Sequence, residues 1–209
     1  MKQPKFQRRA EERPREICAA ALAVFAEKGF AAAKLDDIAK RAGVSKGTLY
    51  LYFKDKEELF RAVVRDTVSP NIDHLRDAIM AVDLPFAQIA PMFLARLASV
   101  AATMPLGSVV KMVIGESGNF PELAKIWQEQ VVDKALGIMV GLIERAQQRG
   151  EVCAGDPRFH AFSLMGPMLM GLMYREVLQP AGGAPVDIEA LARQHSETIL
   201  QGLLMEPSK

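Results

Sequence analysis

Apolar residues recur every three to four positions along most of the chain, the spacing of a helix that buries one face. In the first such stretch Ile17, Ala20, Ala21, Val24 and Phe25 share a side. The helix they predict runs to about Lys28, with Gly29 placed to end it as a left-handed cap. A short helix is predicted over 36–42. Gly43-Val44 interrupts it, and Ser45 is placed to cap a helix carrying 47–53. Asp55-x-x-Glu58 has the spacing of a capping box, with Asp in the Ser/Thr role, and starts a fourth helix. Pro70 is expected to kink or break that helix. Further helices are predicted over 86–103, within 104–118, over 122–149, over 157–179 and over 186–205. Pro121 suits the first turn of the 122–149 helix, and Gly150 ends it. No stretch sustains the alternation of a strand, and no segment repeats. The pattern predicts an all-α protein. A basic arm over 1–9 precedes a three-helix head at 10–65, and a larger helical bundle spans 66–209.

The most informative segment is 35–54, LDDIAKRAGVSKGTLYLYFK. A helix-turn-helix needs a small residue where its two helices touch, and Ala39 is one. It needs a turn that tolerates positive φ, which Gly43 supplies four residues later. Ile38, Ala42, Val44, Leu49 and Tyr52 fall at offsets that pin both helices to a core. With Ser45 as cap, Lys46, Gly47, Thr48 and Tyr50 lie near the outward, N-terminal side of the second helix, the end that enters the major groove. An inert hairpin would not require all of these positions at once. Single residues keep a second reading: Tyr52 sits at an apolar offset and suits the core, and Lys54 and Lys56 suit ordinary solvated positions. Gly47 inside a helix costs about 1 kcal/mol relative to alanine, and close approach to a duplex would give it a reason.

Charge sharpens this picture. The net charge is only +1, yet residues 1–65 hold 15 Lys/Arg against 9 Asp/Glu, and residues 66–209 hold 11 against 16. A basic head on a mildly acidic body points to a polyanionic partner for the head alone. Cys18 lies in an apolar run and Cys153 in a loop, so no disulfide framework is expected. Three scattered histidines do not form a metal cluster, and neither a metal nor a cofactor is expected. The polar, charged N-terminus does not read as a signal peptide. The uncharged stretch 161–174 falls short of the ~20 residues of a membrane span. A soluble, cytoplasmic chain with no membrane partner is expected.

Phe25-Ala-Glu-Lys-Gly29-Phe30, then 35–54, then Asp55-Lys56-Glu-Glu-Leu-Phe60 closely resembles the N-terminal domain of the TetR family of transcriptional repressors. The resemblance covers about residues 10–65. Residues 122–152 are similar to the C-terminal domain of AcrR- and AefR-like members. The resemblance implies a homodimer that binds operator DNA and responds to a small-molecule effector. Lys46 and Thr48 would reach base edges or nearby phosphates, with Ser45 capping their helix and Gly47 letting the backbone approach. Tyr50 and Tyr52 would contact phosphate or sugar, Lys54 and Lys56 would hold phosphates, and Arg8 and Arg9 could reach DNA as an arm. Lys34 stands where many relatives have Thr or Ser, which leaves the cap of helix 2 open, although lysine still binds phosphate.

Two further surfaces are expected in the bundle. The helix over 157–179 is apolar nearly all round, so it must be covered on several sides. Its Met165, Met168, Leu169, Leu172 and Met173, with Leu200 and Leu203 of the last helix, are the candidates for a two-fold interface. Met92, Phe93, Met112, Trp127, Met139, Phe162 and Met170 are candidates to line a pocket for an apolar or amphipathic ligand. The competing reading for any one of them is plain core. Arg96, Lys111, Glu116 and His160 are candidate polar anchors. An enzyme is the rival class, since Gly115-Glu116-Ser117-Gly118-Asn119 has some features of a nucleophile elbow. Its second glycine is displaced and no strand precedes it. There is no phosphate-binding glycine loop and no HExxH. A DNA-binding dimer without a ligand is the other alternative.

Overall fold

The computed structural model describes residues 5–205, with side chains from Glu12 onward. The arm expected over 1–9, Arg8 and Arg9 included, lies outside those side chains. Among the described residues the backbone forms eleven α-helices, three five-residue π turns and no strand. They group into two compact units, one of residues up to Pro70 plus Ser108–Val131, the other of Asn71–Gly107 and the residues from Val132 on.

In the first unit α1 (Lys5–Ala32), α2 (Leu35–Arg41), α3 (Lys46–Tyr52) and α4 (Lys56–Val63) surround a small core. Ile17, Phe25, Phe30, Ile38, Leu49, Leu59 and Phe60 are wholly buried there. Full burial of such a side chain contributes about 1.5–3 kcal/mol. Phe25, Phe30 and Phe60 form a triangle of rings with centroids 5.5–6.0 Å apart. Helix α7 (Leu106–Glu116), from Ser108 onward, and α8 (Pro121–Trp127) complete the unit. Phe120, between them, meets the Phe30 ring edge-on at 5.1 Å. Leu123 and Ile126 are buried, and Arg61 of α4 pairs with Glu122 at 3.3 Å. Gly29 does not adopt the left-handed cap expected from sequence: at φ 77°, ψ 172° it kinks α1, and helical turns resume to Ala32. That region of backbone space is open essentially to glycine alone.

The chain runs on from α4 through a π turn, Val64–Val68, into α5 (Ser69–Met80). Pro70 therefore does not break the helix. Proline lacks an N–H and crowds the carbonyl four residues before it, and the wider π turn, closed by Ser69 N–H to Val64 O, accommodates that. The helix expected over 122–149 is likewise divided by a π turn, Gln128–Val132, before α9 (Asp133–Gln148).

The second unit packs α6 (Phe86–Thr103) against α11 (Ile188–Leu203), and α10 (Pro157–Met173) against α9 and α11. Helix α6 is long and apolar enough to cross a membrane by length and composition. Its Phe86, Ile89, Phe93 and Leu94 are instead buried in this core with Met139, Ile143 and Leu164. The end of α11 is tied to the loop after α9 by Cys153 N–H to Leu203 O at 2.9 Å and Met205 N–H to Glu151 O at 3.0 Å.

Candidate nucleic-acid interface

The hairpin of α2 and α3 is built by local chemistry. Gly43, at φ 67°, follows the end of α2. Val44 N–H reaches Ala39 O at 3.0 Å and Gly43 N–H reaches Lys40 O at 3.2 Å. These are the two bonds of a Schellman stop, which requires a left-handed residue between them. Ile38 and Ala39 are buried at the contact between the helices, and Leu49 pins α3 from the other side. Ser45 accepts Thr48 N–H at 3.1 Å and so caps α3, while its hydroxyl shares a 2.8 Å bond with the Thr48 hydroxyl. Asp55 caps α4 by accepting Glu58 N–H at 2.7 Å. The return bond of the expected capping box reaches one residue further back, from Lys54 N–H to Glu58 at 2.8 Å.

This geometry leaves one outward row: Lys46, Gly47, Tyr50 and Leu51 of α3, and Lys54 just after it, are all exposed. Leu51 is 83% exposed, an extreme value for leucine. Sequence reasoning missed it, because an apolar residue inside a helical pattern reads as core until the helix phase is fixed by Leu49. Tyr50 is 46% exposed, whereas Tyr52 is half-buried with its ring 6.4 Å from Phe53. A Cβ added at Gly47 would meet nothing nearer than the Ser45 hydroxyl at 3.8 Å, so the folded chain itself does not demand glycine there. Lys46 rests on Asp36 at 2.8 Å, which raises its pKa by hydrogen bonding and by charge. So exposed a pair is screened by solvent and yields readily to a phosphate. Lys34 is exposed and precedes α2 without a side-chain cap.

Lys56 departs from expectation. Its ammonium donates to the carbonyls of Phe30, Ala31 and Ala33 and lies 4.5 Å above the Phe30 ring. An ammonium has three donors, and all three are committed inside the protein, where burial lowers its pKa. The carbonyls at the end of α1 attract this cation.

The residues expected to line a ligand pocket fall in both units. Phe93 and Met139 are fully buried in the core of the second unit, and Met112 and Trp127 are buried in the first unit. Met92, Phe162 and Met170 are exposed. A small cleft of about 40 Å³ lies between Ile79, Leu84, Phe86, Leu142, Arg145 and Arg149, and none of the seven lines it. The expected interface residues also divide. Ala161, Leu164, Met168 and Gly171 form the buried stripe of α10, and Leu200 and Leu203 are buried with them, so Met168, Leu200 and Leu203 are core. Leu169 is exposed, Met165, Leu172 and Met173 are half-buried, and Phe159 and Phe162 extend the exposed side. The expected anchor Glu116 is bound to the end of α1 instead.

The comparisons with known proteins decide the family. The family model described as "Bacterial regulatory proteins, tetR family" matches residues 17–63, which contain the whole helix-turn-helix. A second, "Tetracyclin repressor-like, C-terminal domain", matches residues 91–195. The chain belongs to the TetR family. This TetR-family protein is 28% identical over 147 residues to the fatty acid metabolism regulator protein of Bacillus subtilis (strain 168), covering 69% of this chain and 74% of that one. It superposes with a TM-score of 0.76 on a TetR-family transcriptional regulator from Mesorhizobium loti MAFF303099, at 26% identity over 94% of this chain and 99% of that one. It shares its fold with the transcriptional regulator FadR of Bacillus subtilis, solved in complex with stearoyl-CoA (TM-score 0.76, 24% identity, 90% and 98% of the two chains). The TetR-family chain is thus a DNA-binding transcription regulator and not an enzyme.

Proposed function

We propose that this regulator is a homodimeric repressor that holds an inverted-repeat operator through α3 and releases it when a long-chain acyl ligand binds. The observation that carries the reading is the outward row of α3, on a hairpin whose turn and cap are fully bonded. Lys46 and Lys54 supply phosphate contacts that set position, while Thr48, Tyr50 and Leu51 meet base edges, Leu51 being suited to a thymine methyl. Gly47 lets the backbone come close. Lys34 and Tyr52 take flanking phosphate or sugar contacts, and Ser45 serves as cap.

The dimer forms through the exposed side of α10, where Phe159, Phe162 and Leu169 offer apolar surface that a second copy would cover. A two-fold dimer places its recognition helices about one DNA turn apart, roughly 34 Å, or somewhat more. The ligand class is suggested by the fatty acid metabolism regulator among the relatives and by the stearoyl-CoA of FadR. The protein acts in the cytoplasm, where operator and acyl thioester are both found. Titration of acyl-CoA with and without operator tests the coupling. A tenfold loss of operator affinity requires about 1.4 kcal/mol of differential binding, and operator must weaken the ligand by the same factor. Equal ligand affinity in both titrations contradicts the release mechanism.

A further inference from the structure

The structure joins two parts of the first unit that are far apart in sequence. Glu116, the last residue of α7, accepts Phe30 N–H at 2.9 Å through Oε1 and Ala31 N–H at 2.6 Å through Oε2. Both amides lie just past the Gly29 kink, where the change of backbone direction takes them out of the α1 ladder. Gly29 is required for the contact in two ways. Its φ of 77° is strained for any other residue, and a Cβ there would lie 2.5 Å from Glu116 Oε1.

The carbonyl side of the same segment is held by Lys56, which bonds to Phe30 O, Ala31 O and Ala33 O. A carboxylate from α7 and an ammonium from the first turn of α4 therefore fix one short stretch of backbone from opposite directions. The Glu116 charge favours the charged form of Lys56 against its burial. The Phe30 ring, locked among Phe25, Phe60 and Phe120, fixes the remaining freedom. Directly after this stretch, Lys34 is the N-cap residue of α2, and three residues before Lys56, Phe53 is the C-cap residue of α3. Both ends of the helix-turn-helix are thus anchored at the point that Glu116 holds.

We propose that Glu116 is a positioning residue for operator recognition: its bidentate grip sets where the helix-turn-helix begins and so aims α3. This rests on the reading that α3 is the DNA-contacting helix. The effect falls on specific recognition, because tight base contacts need α3 correctly aimed, while non-specific binding needs only the exposed lysines near phosphates.

The test compares wild type with Glu116→Gln, which keeps the shape but puts an amide NH₂ against one of the two N–H donors. Affinities for a selected operator and for a scrambled duplex are measured by fluorescence anisotropy on active protein counted by stoichiometric titration. Operator affinity should fall about tenfold, with scrambled-duplex affinity and its salt slope unchanged. The backbone amide signals of Phe30 and Ala31 should shift in a ¹H–¹⁵N spectrum while those of Gly43 and Val44 stay. A purely structural role would lower the active fraction without changing the ratio of the two affinities. Gly29→Ala, which pushes the carboxylate away, should change the ratio in the same direction and decides the matter if Glu116→Gln does not fold. A wild-type ratio in a folded variant whose Phe30 and Ala31 signals have moved overturns the proposal. Wild type that binds operator and scrambled duplex equally would instead overturn the underlying reading of α3.

Discussion

Replacing Gly47 by alanine should move stability and DNA affinity in opposite directions. Gly47 is the second residue of α3, inside a helix capped by Ser45. Alanine at a compatible helical position stabilises by about 0.4–1 kcal/mol, chiefly by restricting the unfolded chain. The new Cβ would meet only the Ser45 hydroxyl at 3.8 Å, an ordinary contact, so no strain offsets the gain. For a protein of this size 1 kcal/mol corresponds to a rise in Tm of about 2–4 °C, and the expected rise is therefore about 1–4 °C. At the duplex the same methyl occupies the space through which the backbone approaches. Overpacking at a close contact costs about 1–3 kcal/mol, a loss of affinity of roughly 5- to 150-fold. Differential scanning calorimetry gives the first quantity and anisotropy with a selected operator the second. Higher Tm with unchanged operator affinity would refute the placement of Gly47 at the DNA. A lower Tm would refute the helix geometry that leaves the methyl free.

Other outcomes follow from the same geometry. Lys54→Ala should weaken every duplex alike and reduce the salt slope by about 0.9 per lost contact, whereas Lys56→Met should lower Tm with little change in that slope. Leu169→Asp should yield folded monomers by light scattering, while Met168→Asp, only one residue away but in the core, should fail to fold; folded monomers from both would contradict the division of α10 into a core face and an interface. The Cys18 thiol is pushed up to about 12, first by burial and then by the Asp66 charge. A thiol-specific reagent at neutral pH should therefore react with Cys153 alone in the native protein and with both cysteines after unfolding. The raised pKa also means the unfolded state releases its thiol proton first as pH rises above the ordinary cysteine range, so Cys18 lowers stability on the alkaline side.

Features set by neighbours in sequence were legible from the chain alone. Ser45, Gly43 and Asp55 act through bonds that span three to five positions, and each forms the stop or cap its spacing implies. Lys56 and Glu116 were not legible, because their partners are 23 to 86 residues distant and are backbone groups, which leave no mark in side-chain pattern. The membership of Ser108–Val131 in the first unit was hidden for a related reason: amphipathic periodicity says that a helix buries a face but not against what. On α10 the pattern is apolar all round, so it could not separate Met168 from Leu169; only the phase fixed by Leu164 and Gly171 against α11 does so.

The central claim is that α3 of a two-fold dimer reads a specific duplex. Selection from a pool of random duplexes, followed by sequencing of the bound fraction, tests it most directly. The expected result is enrichment of an inverted repeat whose half-sites lie about one helical turn apart or somewhat more, lost on Gly47→Ala or on replacing Leu51. A bound pool as random as the input, or an enriched sequence without two-fold symmetry, would contradict it.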